Sequence, residues 1–172
     1  MAFAPNFDRH LQTTLNSKAK EYTWKAGWSA TGTRWKVDVA GLSKNKTPRV
    51  LVEVELKKDN PVENVVKIWR WAKNEKKTNR MLFLQAFSAH YVQGTGRQHR
   101  VTKRKQYERS VFVGERMMAD RTSGLHIDYR PIPMTYAPRL GRNGVRIKEG
   151  AGRMQLAAQK LGEQIARMIH SS

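Results

Sequence analysis

The stretch RWKVDVAGLSKNKTPRVLVEVELKKDNPVEN, residues 34–64, decides how this chain is read. From Arg34 to Ala40, Trp35, Val37 and Val39 alternate with Arg34, Lys36 and Asp38. Period-two alternation marks a strand, because successive side chains leave opposite faces of a pleated backbone. Gly41 to Pro48 is rich in turn formers and lysine, so it predicts a turn. From Arg49 to Lys58 the alternation returns, with Val50, Val52, Val54 and Leu56 on one face and Glu53, Glu55 and Lys57 on the other. Asn60, Pro61 and Glu63 then form a helix start: a capping residue, a proline where no N–H is needed, and an acid in the first turn. That helix is expected to reach about Glu75, with a core stripe of Val62, Val65, Val66, Trp69 and Ala72 and another face bearing Asn64, Lys67 and Trp71.

Working outward, Phe7, Leu11, Leu15, Ala19 and Tyr22 recur at helical spacing and predict an opening helix to about Tyr22, with Gly27 and Gly32 breaking the pattern. On the other side, Met81 to Phe87 reads as a third, buried strand, and Gly94 to Lys105 as a polar basic loop. A helix is predicted from about Lys103 to Ala119 with Tyr107, Val111, Met117 and Met118 inward, although Gly114 counts against it. Leu125, Ile127 and Tyr129 alternate as a fourth strand, and Pro131 to Gly152, with its prolines and glycines, reads as a long basic excursion. Met154, Ala158, Leu161, Ile165, Met168 and Ile169 predict a closing helix. This order predicts an α/β fold with a mixed central sheet flanked by helices, and 172 residues suit one domain, residues 1–172.

Lys and Arg total 33 against 14 Asp and Glu, a net charge of +19 that would repel itself unless a polyanion were nearby. No apolar run approaches the ~20 residues needed to span a bilayer, so no membrane partner is expected. The absence of cysteine excludes a disulfide scaffold and a thiolate zinc site. With Asp8 interrupting the amino terminus where a signal peptide would be apolar, the expected location is cytoplasmic, or nucleoid-associated in a bacterium.

Within this basic chain, Asp38, Glu53, Glu55, Asp59 and Glu63, five of its 14 acids, fall between residues 38 and 63. If the two strands pair as a hairpin, Asp38 sits beside Glu55 and Lys57, since residues two apart on a strand share a face. Two carboxylates and an ammonium would then converge, a set suited to Mg²⁺, with Mn²⁺ as a substitute. The metal would polarise a scissile phosphate and acidify a bound water, while Lys57 positions that water or stabilises charge on the phosphate. Hydrolysis of a phosphodiester bond is the reaction these parts fit.

Asp38, sixteen intervening residues, then Glu55-Leu56-Lys57 after an apolar strand resembles the PD-(D/E)xK nuclease superfamily, and the helix from Pro61 stands where that restriction-endonuclease-like fold has one. The resemblance covers roughly Phe7 to Ser88. It implies that Asp38 and Glu55 bind Mg²⁺, that Lys57 assists catalysis, and that the substrate is DNA. Val37 replaces the eponymous proline. Glu53 is either a third ligand or the true one if the register differs by one pair, and Asp8 or Glu21 could supply an acid from the first helix.

Lys67 by charge and Trp71 by stacking could flank a nucleic-acid path. Arg97, Arg100, Lys103, Arg104 and Lys105 follow Gly94-Thr95-Gly96 as an arm able to grip phosphates, and Arg142 and Arg146 repeat this in the later loop. The ordinary alternative for each is a solvated face. The five histidines show no paired metal-ligand spacing. A homodimer would suit cleavage of both strands. The rival reading is a non-catalytic basic nucleic-acid-binding protein, or a subunit of a nucleoprotein assembly.

Overall fold

A computed structural model describes residues 3–30, 33–56, 60–74, 80–92, 97–120, 126–139 and 151–171. Its elements in chain order are α1 (Phe3–Lys18), β1 (Thr23–Trp28), β2 (Val37–Leu42), β3 (Pro48–Glu55), α2 (Val62–Asn74), β4 (Arg80–Phe87), α3 (Ala89–Val92), α4 (Arg97–Ala119), β5 (His126–Pro133) and α5 (Ala151–His170). The strands make one mixed sheet in the order β1-β2-β3-β4-β5, so the chain is α/β as its alternating elements predict. It divides into two compact units, Met1–Arg49 with Pro138–Ser172, and Val50–Ala137.

In the first unit, the stripe Phe7, Leu11 and Leu15 of α1 is buried, as are Met154, Ala158, Leu161 and Ile165 of α5. The two helices approach closely at Gly162, where a Cβ would lie 2.7 Å from the Thr14 methyl group. α1 ends at Lys18, short of the expected Tyr22, and the chain turns into a strand that the sequence reading did not anticipate. β1 pairs antiparallel with β2, from Thr23↔Leu42 to Trp28↔Val37. Trp24 anchors this pairing: its indole N–H donates to the Ala19 carbonyl at 2.9 Å, and its own carbonyl accepts from Gln12 Nε2 at 2.8 Å.

The Trp24 ring also explains why β2 runs on to Leu42 when Gly41 reads as a turn former. A Cβ on Gly41 would lie 2.9 Å from that ring, so the missing side chain leaves the space into which the indole packs. Gly27, read as a break, lies within β1 at φ +61°, a left-handed conformation that glycine adopts without steric cost. The turn after β2 is closed by Ser43 N–H donating to the Thr47 carbonyl at 2.9 Å.

The second unit contains the parallel part of the sheet. β3 pairs with β4 from Val50↔Leu82 to Glu55↔Phe87, and β4 with β5 from Arg80↔His126 to Phe87↔Pro133. Parallel neighbours need crossover connections, and α2 carries the chain from β3 to β4 while α3 and α4 carry it from β4 to β5. Leu51, Val52, Phe83, Leu84 and Ala86 are buried.

Three expectations for this unit change. β5 continues through Pro131 and Pro133, residues assigned to the excursion; β5 ends the strand order, where a proline's missing donor costs the ladder least. Met134 N–H then donates to the Phe87 carbonyl at 2.7 Å and Tyr136 accepts from Ala89 N–H at 2.8 Å. The rest of the expected excursion, residues 140–150, lies outside the described residues. α4 begins at Arg97, so residues 97–105 are helical where a basic loop was expected. Its inward residues include Met117 and not Met118, which is exposed. Gly114, which counted against this helix, is required by it: a Cβ there would lie 2.2 Å from the Tyr129 ring.

Candidate active site

Glu53 and Glu55 stand two residues apart near the carboxyl end of β3, and only 3% and 1% of their surfaces are exposed. The face they share is therefore interior and not the solvated sheet face that Glu-x-Lys strands commonly present. Burying a carboxylate is costly unless it is paired or hydrogen-bonded, and each of these has partners. Glu55 Oε1 accepts from Asn64 Nδ2 at 2.7 Å and from Gln85 Nε2 at 2.8 Å. Lys67 Nζ lies 2.5 Å from Glu53 Oε1, setting an ammonium against the second acid.

Asn64 and Lys67 reach the two acids because they lie three residues apart on α2 and so share one face. The buried residues of α2 are Asn64, Val65, Ile68 and Ala72, which corrects the expected stripe: Ile68 belongs to the core, while Val62, Val66 and Trp69 are half-buried. On the face read as polar, Asn64 and Lys67 reach buried carboxylates, while Trp71 is half-buried. The helix start itself is as expected, with Asn60 Nδ2 donating to Glu63 Oε1 at 3.1 Å.

Gln85 extends the network. Its Nε2 also donates to the Pro61 carbonyl at 2.9 Å, while its Oε1 accepts from the Tyr129 hydroxyl at 3.0 Å. Both amide protons and the amide oxygen are engaged, which fixes the orientation of the side chain. Tyr129 stays a donor throughout the accessible pH range, because burial first, and then Tyr107 and the negative charges of Glu55 and Glu115, push its pKa far up. Ser88 fixes the backbone beyond the acids: its N–H donates to the Glu55 carbonyl at 3.0 Å and its hydroxyl to the Leu56 carbonyl at 2.7 Å. Lys57, the next residue, lies outside the described residues.

Asp38 belongs to the first unit, half-buried on β2. There its charge acts on Asp8 of α1, whose pKa is raised to about 8 by burial and, after that, by Asp38. Of the two acids expected on the first helix, only Asp8 lies on it, since α1 ends at Lys18 before Glu21, and Asp8 is the one on which Asp38 acts. Glu21 is exposed and lies 3.4 Å from His170 Nε2.

The basic residues separate into distinct groups. Lys67 is committed to Glu53. Lys103 Nζ lies 5.3 Å from the Tyr91 ring centroid, and Arg104 pairs with Glu108 at 3.0 Å. Lys105 is exposed on α4, and Arg97 and Arg100 begin that helix with side chains outside those described. Arg142 and Arg146 lie outside the described residues. Asp128 pairs with Arg130 at 3.0 Å.

The sequence reading missed Gln85 and Tyr129 as members of the site. Gln85 carried a usable signal, being the one polar residue between Met81 and Phe87, and a polar group in a buried strand must find partners. Nothing local marks Tyr129. Among the described residues, no three Asp, Glu or His side chains form one metal-ligand group. Glu53 and Glu55 are nevertheless hard oxygen donors on one face, and Mg²⁺ commonly takes only one or two carboxylates, completing its shell with water and phosphate. The donor chemistry is of the kind such an ion takes, while in this structure the Lys67 ammonium stands against Glu53 as its counter-charge. Comparison with protein-family models, with curated proteins and with solved structures gives no match.

Proposed function

We propose that this chain is a Mg²⁺-dependent endonuclease that hydrolyses phosphodiester bonds in DNA, as its resemblance to the PD-(D/E)xK superfamily implies. The observation that carries the reading is Glu55: a buried carboxylate at the carboxyl end of a parallel strand, held by two amide donors, with Glu53 beside it and Lys57 following, in a chain of net charge +19. Ligands of open α/β sheets bind outside the carboxyl ends of the strands. Glu55 and Glu53 would hold the metal, and the resemblance adds Asp38. When bound, Mg²⁺, or Mn²⁺ in its place, polarises the scissile phosphate and lowers the pKa of a coordinated water.

Asn64 and Gln85 orient the Glu55 carboxylate, so that its position is set before substrate arrives. Lys57, as the resemblance implies, would supply an ammonium to stabilise charge growing on the phosphate. DNA as partner, a homodimer and a cytoplasmic location belong to the same proposal. Among the described residues, no helix is long and apolar enough to cross a membrane. The non-catalytic reading is favoured by one observation, the Lys67 ammonium already set against Glu53.

The test is incubation of supercoiled, linear and branched DNA with purified protein and Mg²⁺ or Mn²⁺, against EDTA, Glu55→Gln and Asp38→Ala. Glu55→Gln is the informative variant, because it keeps the side chain's volume, and its circular dichroism melt reports folding. Metal-dependent cutting lost in a folded Glu55→Gln protein is the expected result. Intact DNA with every metal, together with a gel shift that the substitutions leave unchanged, would replace the nuclease by a binding protein.

A further inference from the structure

The outer face of α4 carries Lys105, Arg109, Phe112 and Arg116, at spacings of four, three and four residues. At 3.6 residues per turn these fall within an arc of roughly 60°, so three cations and one aromatic ring form a single stripe. All four are exposed, and 56% of the Phe112 surface lies in solvent. The Arg116 guanidinium lies 5.1 Å from the Phe112 ring centroid, stacking charge on the aromatic face. Phe112 also edges a groove lined by Val62, Val113, Lys105, Arg109 and Glu108.

A single exposed phenylalanine is ordinary; one set among cations beside two valines is a surface of mixed character. Its apolar part would bury a flat, weakly polar group, while its charges call for an anion on each side. Glu108, the acid in the groove, is paired with Arg104 at 3.0 Å, so it opposes an incoming anion little. Glu115 flanks the stripe, and its charge also acts on Tyr129. A stacked base between two backbone phosphates has the required chemistry, and a base is free to stack on a side chain only where it is unpaired.

We propose that this stripe binds single-stranded DNA, with Phe112 stacking on an unpaired base and Lys105, Arg109 and Arg116 contacting the adjoining phosphates. The choice of DNA rests on the nuclease reading. The stripe would direct the enzyme to substrates with single-stranded segments, such as flaps, overhangs and branch points.

The experiment measures fluorescence anisotropy of labelled single-stranded, 3′-overhang, blunt-duplex and single-stranded RNA oligonucleotides of equal length in EDTA, with no cleavage required. Phe112→Ala should weaken single-stranded DNA binding by roughly 5- to 150-fold, as loss of one base stack does, with little change on blunt duplex. Phe112→Trp should retain affinity, and its added indole emission should be quenched on binding. Lys105→Gln with Arg109→Gln should lower the dependence of log affinity on log salt by about one to two.

Equal losses on single-stranded and blunt DNA, or no loss in Phe112→Ala, would overturn the proposal. Tighter binding to RNA would overturn the DNA assignment. Dimerisation lost in Phe112→Ala with DNA affinity intact, read by sedimentation, would assign the face to a second copy of the chain. Binding that depends on Phe112 in a protein that cuts nothing would leave this proposal standing and refute the nuclease. Cutting with no dependence of binding on Phe112 would do the reverse.

Discussion

Replacing Gly114 with alanine adds one methyl group where α4 passes over Tyr129. The new carbon would lie 2.2, 2.4 and 2.5 Å from three ring carbons, where ordinary carbon contacts are about 3.5–4 Å. Relief needs a movement of more than about 1 Å by the ring or the helix. The ring has little room to give, because its hydroxyl donates to Gln85 and the ring packs, tilted by 46°, against Phe83 at 5.6 Å between centroids. Overpacking costs about 1–3 kcal/mol. Breaking the Tyr129–Gln85 bond adds about 0.5–1.5 kcal/mol, and alanine's better helix propensity returns about 1 kcal/mol. Gly114→Ala should therefore lose about 0.5–3.5 kcal/mol in a urea titration followed by circular dichroism. In a Tyr129→Ala background the same change should be neutral or stabilising by up to about 1 kcal/mol. A Gly114→Ala protein as stable as the parent, or an equal loss in both backgrounds, would refute the close-approach explanation.

Two further outcomes follow from the same physics. Lys67→Met removes the ammonium set against Glu53, which is 3% exposed, and since Lys67 itself is 22% exposed, the loss should be about 1–3 kcal/mol, below the usual cost of breaking a fully buried pair. Calorimetry with and without Mg²⁺ reads it: the ion should recover more stability in the variant than in the parent, and an undiminished melting temperature would show that the pair contributes nothing. Asp8 has a folded pKa raised from 3.8 to about 8, so the folded state prefers its protonated form. The stability this provides is complete below about pH 4 and is lost as pH rises through about 8. Asp8→Asn keeps the neutral form, so its melting temperature should fall less than the parent's between about pH 5 and pH 9; parallel pH profiles would show that Asp8 is not the group involved.

Much of the framework is legible in local pattern. Alternation alone locates β2, β3 and β5 to within a few residues, the Asn60-Pro61-Glu63 start places α2, and the spacing of Met154, Ala158, Leu161 and Ile165 places α5. Charge alone points toward a polyanion, and the concentration of acids draws attention to Asp38, Glu53 and Glu55, of which Glu53 and Glu55 are buried together on β3. These features depend on neighbours within a turn or two of the chain, where period and propensity act directly.

Other features depend on residues far apart in sequence, and only the tertiary structure decides them. Gly41 belongs to a strand because Trp24, 17 positions earlier, packs over it, and Gly114 to a helix because Tyr129 needs its space. β5 keeps its prolines because it stands last in the strand order. Asn64 reads as a surface residue of α2 until Glu55 is found buried beneath it, joined to Gln85, 30 residues on, and through it to Tyr129, a further 44. Hydrophobic periodicity tells which residues leave water; it carries no information about which distant polar group a buried carboxylate will meet, because that pairing is chosen by the geometry of the assembled sheet and the cost of leaving a charge unsatisfied within it.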